Sequence, residues 1–460
     1  MLVILGFLMV AAFMFLILTK RATPVVALIL VPVIFGLFAG AGLGIGDMIT
    51  DGIKSLAPTA ALLFFAIIFF GIMIDVGLFD PLVRGILRLV RNDPMKLVVG
   101  TAVLAMVVPL DGDGSTTFII VTSALLPLYL KLGVSPVILT VVAGLANGTM
   151  NIIPWGGPTV RAASALGISP SEVFVPMVPS LVAGLVIVLL FSVHLGLMER
   201  RRLGSLVFDQ EMVSVGGGGS DTARPARRTG GGAGGDADGG AGQFIDGLDP
   251  QRDTLRPKLL WFNAALTVAL LVVLVMDILP IPVLFMIAAS IALTVNFPKV
   301  KEQGEAIARH SASIVSVVAM VLAAAVLTGV FSGTGMVEAM AEWLLGVIPS
   351  SMGPFLAVIT GVLSIPLTFF MTNDAFYFGI LPVLTETAAQ YGIEPVEMAR
   401  ASITGQPVHL QSPLVPAILL LVTLAGVSLA DHHKKVLWRA TVVSLAMLAV
   451  GVLLGQIPMG

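Results

Sequence analysis

Between Pro109 and Pro158 the chain is apolar enough to lie in a bilayer, yet two polar breaks interrupt it, Asp111-Gly-Asp-Gly-Ser115 and Asn147 to Pro158. Hydrocarbon offers a backbone no hydrogen-bond partners, so irregular segments at membrane depth survive only where protein or a watery cavity surrounds them. A fainter copy runs from Pro366 to Pro416, broken at Thr372-Asn-Asp374 and at Gly405 to Pro413. Broken segments at corresponding places in two halves are the sequence mark of a transporter's binding site.

The rest of the chain fits a polytopic, all-α membrane protein. It is 57% hydrophobic and 11% charged over 460 residues, too few charges to clothe a soluble surface of that length. It contains no cysteine, which excludes disulfides, zinc–thiolate sites and thiol catalysis. A net charge of −2 without a basic, aromatic-interleaved patch gives no nucleic-acid partner. Leu2 to Thr19 lacks a basic leading region and further spans follow, so it reads as a retained first span rather than a cleaved signal.

The spacing predicts spans near 2–19, 24–43 and 59–78, then a surface amphipathic helix from Asp80 to Asn92. In that helix Arg84, Arg88 and Arg91 oppose Leu82, Ile86, Leu87 and Val90. A re-entrant hairpin over 95–131, a broken helix over 136–166 and a span over 175–197 complete a first repeat, residues 1–198. Residues 199–257 read as a flexible, disordered, glycine-rich cytoplasmic linker. The second repeat, 258–460, has spans near 259–276, 278–297 and 311–333 and a surface helix near 336–346. A hairpin at 352–390, a broken helix at 395–425 and a span at 436–456 follow.

Matched glycines and prolines support the duplication. Gly133 with Gly392, Pro136 with Pro395, Pro154 with Pro413 and Gly167 with Gly426 are all 259 residues apart. Basic residues in the short loops fall on one side of this map, which assigns that side to the cytoplasm. Both termini are then outside, and about five spans per half make the second repeat inverted.

The breaks carry the candidate chemistry. At the hairpin tips, Gly114, Ser115 and Thr116 begin one helical arm, and Thr372, Asn373 and Asp374 mirror them. Such arm N-termini favour an anion through free N–H groups and the dipole. Asn147, Gly156, Gly157, Pro158 and Thr159 in one break, and Gln406, His409, Gln411 and Ser412 in the other, leave polar groups near the midplane. Arg161 either meets a substrate carboxylate or bonds carbonyls of the break. His409 either relays protons or hydrogen-bonds the unwound backbone. Asp75 is expected to partner the arginine-rich surface helix; Asp277 and Glu386 read as solvated span ends, and Arg400 as an interfacial anchor or distant charge partner.

Gly44-Ile-Gly-Asp47 resembles the pattern of intramembrane aspartyl proteases, so a hydrolase using Asp47 and Asp75 is the competitor from another class. Asp111-x-Asp113-x-Ser115 starts like an EF-hand loop, but its twelfth position is Thr122 rather than Glu. No metal-protease spacing or nucleophile elbow appears, and enzyme function is disfavoured. A passive channel is a further alternative.

The runs LDGDGSTT, NGTMNIIPWGGPTVRAASALG and IMIDVGLFDP resemble the citrate–divalent metal–proton symporter family (CitMHS) of the ion transporter superfamily. The resemblance implies import across the cytoplasmic membrane of citrate complexed with Mg²⁺ or Ca²⁺, coupled to protons, with no organic cofactor. It also implies scaffold and transport domains, an elevator motion and a homodimer. Sodium-coupled relatives carry Ser-Asn-Thr at each hairpin tip. Gly114-Ser-Thr116 and Thr372-Asn-Asp374 depart from that, so their sodium sites do not carry over.

Site chemistry agrees with a metal complex as cargo. Free citrate is close to trivalent at neutral pH, and burying it demands several cations. The breaks supply Arg161 but also Asp111, Asp113 and Asp374. These carboxylates would meet the metal, directly or through the citrate complex, or carry the coupled protons. Another di- or tricarboxylate, or other organic anion, moved with Na⁺ or H⁺ is the alternative cargo.

Overall fold

A computed structural model describes residues 1–19, 21–90, 93–111, 114–214, 252–276 and 278–459. All regular structure among them is helical, as an apolar chain in lipid requires, because a helix satisfies its own backbone. Seven of the described helices are long and apolar enough to cross a bilayer.

The first half comprises α1 (Leu2–Leu18), α2 (Pro24–Phe38), α3 (Ile45–Asp75), α4 (Asp80–Val90), α5 (Pro94–Val107) and α6 (Gly114–Lys131). α7 (Pro136–Met150), α8 (Gly157–Leu166), α9 (Pro170–Phe174) and α10 (Val178–Ser214) follow. The second half has α11 (Leu260–Val275), α12 (Ile281–Asn296), α13 (Val300–Arg309), α14 (Ser311–Gly333), α15 (Met336–Val347) and α16 (Leu356–Phe370). It closes with the π turn Ala375–Ile380, α17 (Leu381–Ala389), α18 (Pro395–Ser402), α19 (Gln406–His409), α20 (Pro416–Leu424) and α21 (Leu429–Leu453). Long helix, short helix, hairpin, broken helix and closing helix thus occur in the same order in both halves.

Several boundaries differ from the sequence expectation. The third span begins at Ile45 rather than 59, because Pro58 is accommodated inside the helix. α10 continues to Ser214, so the connector read from residue 199 starts as helix. Its far end is also ordered: Arg252 donates to the carbonyls of Ile74 and Asp75 and to the Asp80 carboxylate, capping the end of α3. Residues 215–251, and Arg91, Asp113 and Asp277, lie outside the described residues. The basic residues Lys299 to Arg309, expected in a short loop between spans, lie largely in α13, an amphipathic helix between α12 and α14. Its end corrects the partner expected for Asp75, whose Oδ2 accepts from Arg309 Nε at 3.0 Å and lies 3.2 Å from His310 Nε2. The surface helix α4 instead buries Ile86 and leaves Arg84 and Arg88 exposed.

The two halves interlock through small residues. A Cβ on Gly52 would lie 2.1 Å from the Ala325 carbonyl oxygen, and one on Gly329 2.2 Å from that of Met48. Near the other end, Gly71 faces the His310 ring. α3 and α14 therefore run antiparallel with backbones in direct contact, as small residues permit in membranes. α1 packs on α15, α2 on α14, α6 on α20, and α10 on α5, α7 and α21.

Candidate functional site

The first break opens where α7 meets Asn151 to Gly156. A Cβ on Gly156 would sit 2.3 Å from the Asn151 carbonyl oxygen, so the turn admits only glycine there. Thr159 Oγ1 donates to the Ile152 carbonyl at 2.7 Å and ties the loop to the start of α8, where Pro158 lies in the first turn. The second break lies between α18 and α20. Gly148 on α7 passes Pro407 so closely that a Cβ would be 3.1 Å from its Cα, and the two broken helices cross there.

Both hairpin tips reach this crossing. Asn147 Nδ2 donates to the Gly114 carbonyl at 3.4 Å, and a Cβ on Gly114 would touch Ala417 of α20. Thr116 is buried and Ser115 half-buried beside it. At the other tip Thr372 Oγ1 accepts from the Ala375 amide, a local cap. The Gln406 amide joins three elements here. Its Oε1 accepts from Asn151 at 3.3 Å and Asn373 at 3.4 Å, and its Nε2 donates to Asn373 Oδ1 at 3.2 Å and the Tyr377 hydroxyl at 2.9 Å. Tyr377 in turn donates to the Ser402 carbonyl. Both polar atoms of the buried Gln406 amide have partners, which fixes the relative positions of tip and break.

The charged centre lies beside it. Arg161 Nε on α8 donates to Asp374 Oδ1 at 2.5 Å, joining the first half's broken helix to the second half's hairpin tip. The guanidinium lies across Gly157, where a Cβ would be 2.6 Å from Nη1. Arg161, Gly157, Trp155 and Phe378 face α3 and α14 across a cavity of about 190 Å³. A larger cavity of about 580 Å³, with Asp47, Asp51 and Glu386 in its lining, also reaches Phe378.

Three candidates turn out to hold the framework. The last carbonyls of α16 have no partner within their helix. His409 Nδ1 donates to Thr368's carbonyl at 2.6 Å, and Ser412 Oγ to Phe369's at 2.6 Å, so both residues cap that arm. Because a carbonyl only accepts, His409 holds its proton on Nδ1, which supports the hydrogen-bonding role and leaves Nε2 as the basic nitrogen. Gln411 Nε2 donates to the carbonyls of Gly144 and Pro407. Its Oε1 accepts from His432 Nε2 at 3.1 Å, and its backbone oxygen from His433 at 2.7 Å. Arg400 donates to the Glu172 carbonyl.

Of the proposed metal-facing carboxylates, Asp374 is engaged by Arg161, and Asp111 ends the 3₁₀ turn Val108–Asp111. No group of three or more histidine or acidic residues suited to a metal occurs among the described residues. Asp47 and Asp75 lie at opposite ends of one 31-residue helix, on the order of 40 Å apart at about 1.5 Å per residue, too far to act as a protease pair. Asn151, Tyr377, His432 and His433 were not among the candidate site residues, and Trp155 entered only as part of the first break. Asn151 and Tyr377 follow Asn147 and Asn373 by four residues, so helical spacing from the candidates was the signal available.

The sequence profile of the family described as "Citrate transporter" (CitMHS) matches residues 13–405. A citrate transporter of Bacillus subtilis (strain 168) is 47% identical over 99% of this chain and 100% of its own length. A Mg(2+)/citrate complex secondary transporter of the same organism is 47% identical over 99% of both chains. Among solved structures, the YdaH transporter of Alcanivorax borkumensis superposes with a TM-score of 0.57 over 90% of this chain and 88% of its own, at 12% identity, a likeness of fold. The family profile spans most of the sequence and the fold brings two broken helices to one junction: this chain belongs to the citrate transporter family, whose members are membrane carriers and not enzymes.

Proposed function

We propose that this chain is a secondary active symporter importing citrate complexed with a divalent metal ion, coupled to protons. The observation that carries the reading is the Arg161–Asp374 pair at the junction of the breaks. One guanidinium already answered by a carboxylate leaves little net positive charge for a trivalent anion. A citrate whose charge is mostly cancelled by Mg²⁺ or Ca²⁺ suits it, and the Mg²⁺/citrate carrier among its relatives supports this cargo.

In this reading Gly114, Ser115, Thr116, Asn147, Gly157, Arg161, Asn373 and Asp374 surround the cargo, and Asp111 and Asp113 meet its metal or carry protons. The antiparallel contact of α3 with α14 supports inverted halves, and the basic residues of the short loops favour both termini outside. α3 and α14 then belong to a scaffold past which the broken helices and hairpins slide, within a homodimer.

Purified protein in proteoliposomes tests this with labelled citrate offered alone and with Mg²⁺, Ca²⁺ or Na⁺. Uptake should require a divalent metal, rise with an inward proton gradient and collapse with a protonophore. Uptake of citrate or a dicarboxylate driven by Na⁺ alone would replace the reading with its competitor. Asp113→Ala should abolish metal-dependent uptake in correctly inserted protein; unchanged uptake removes Asp113 from the site.

A further inference from the structure

Resting on the carrier reading above, we propose that Ser164 is a further cargo-binding residue. Its hydroxyl donates to a second carboxylate arm of the metal–citrate complex that Arg161 holds, in the cavity between α8 and the antiparallel pair α3 and α14.

Helical spacing puts Gly157, Val160, Arg161 and Ser164 on one face of α8, and all four line the cavity of about 190 Å³. Among the described residues of that lining, Arg161 carries the one charge. Ser164 is 1% exposed, and its Oγ has no hydrogen-bond partner. A buried hydroxyl left unpaired is costly, and a helix normally relieves it by a bond to the carbonyl four residues back. Thr101, Thr149, Ser192 and Thr368 take that relief from Leu97, Leu145, Val188 and Ser364 at 2.6–2.9 Å. Among the described residues Thr122, Ser180, Thr360, Thr385 and Ser444 share the unpaired state of Ser164, and of these six Ser164 alone lines the cavity that Arg161 lines. Ser164 makes no such bond to Val160 and keeps its hydroxyl unpaired on the helix face that carries Arg161.

The Arg161 guanidinium, which leans back across Gly157, and the Ser164 hydroxyl further along the same helix face give the cavity two separate donors, which different carboxylate groups of one cargo accept. The walls, Trp155, Met320, Val321 and Phe378, are apolar, and low polarity strengthens such bonds once the cargo has displaced water. The volume exceeds the roughly 150 Å³ known to admit a benzene, so an anionic arm fits.

The chain has no cysteine, so Ser164→Cys introduces a single, nearly isosteric thiol. Its labelling rate with a charged methanethiosulfonate reagent is measured on the full chain in proteoliposomes, with Mg–citrate, MgCl₂ alone or sodium sulfate. Mg–citrate should slow labelling at least fivefold, with half-effect near the transport KM, and the other salts should not. T385C, in the larger cavity, should change less than twofold. In parallel, S164A should raise the KM for Mg–citrate about tenfold with Vmax within twofold and Tm unchanged, because no bond within the protein is lost. Labelling of S164C indifferent to Mg–citrate, or S164A with a wild-type KM, overturns the proposal. A wild-type chain that carries no citrate retires the carrier reading instead. In that event protection of the S164C thiol by malate keeps the subsite, and no protection by either acid removes it.

Discussion

At the scale of single residues, what matters is which charges are already answered. Arg161 is 26% and Asp374 10% exposed at their side chains, a pair largely shielded from water in which Arg161 lines the cavity. Replacing Asp374 by Asn leaves the arginine uncompensated and the site more positive. The Asp374→Asn protein should therefore lose its dependence on metal. The ratio of Mg–citrate to free-citrate uptake should fall roughly tenfold, on the order of 1.4 kcal/mol. A ratio equal to wild type, at normal insertion, would take Asp374 out of cargo selection. Sequence placed Arg161 and Asp374 at the breaks, because an intramembrane charge is costly enough to imply a use. It did not join them, since 213 residues separate the two and the pairing depends on how the halves dock.

Among the elements, the helical breaks were legible and their wiring was not. Proline and glycine at Pro154, Gly156 and Gly405 interrupt backbone pairing wherever the chain goes, so the breaks appear in sequence. That His409 and Ser412 cap α16 follows only once the second broken helix lies against that arm's last carbonyls. The same holds for Asp75, whose partners come from α13. Its helix, α3, depends on a glycine contact with α14, which Gly52→Val tests. The new side chain must displace the Ala325 carbonyl, and overpacking of this kind costs about 1–3 kcal/mol. Lower thermal stability in detergent is expected, measured by fluorescence-detected unfolding; an unchanged Tm would mean that the two helices separate without cost.

Across the whole molecule, the halves are interleaved rather than adjacent. α14 packs against α2 and α3, α20 against α6, and α21 against α7 and α10. Each half leaves part of its breaks to the other, as Asn151 with Gln406 and Arg161 with Asp374 show, so residues 1–214 or 252–460 expressed alone should be degraded, whereas co-expressed halves should copurify and transport. A stable, monodisperse single half would contradict this. Local chemistry settled much in advance: lipid forces an apolar backbone into helices, and proline and glycine interrupt them. Those are properties of short windows and are written in order along the chain. Which carbonyl receives His409, which acid answers Arg161, and why Ser164 keeps an unpaired hydroxyl beside a cavity depend on contacts between distant windows. Side-chain hydrogen bonds reach only about 3 Å, so such contacts exist only after those distant windows have packed against one another.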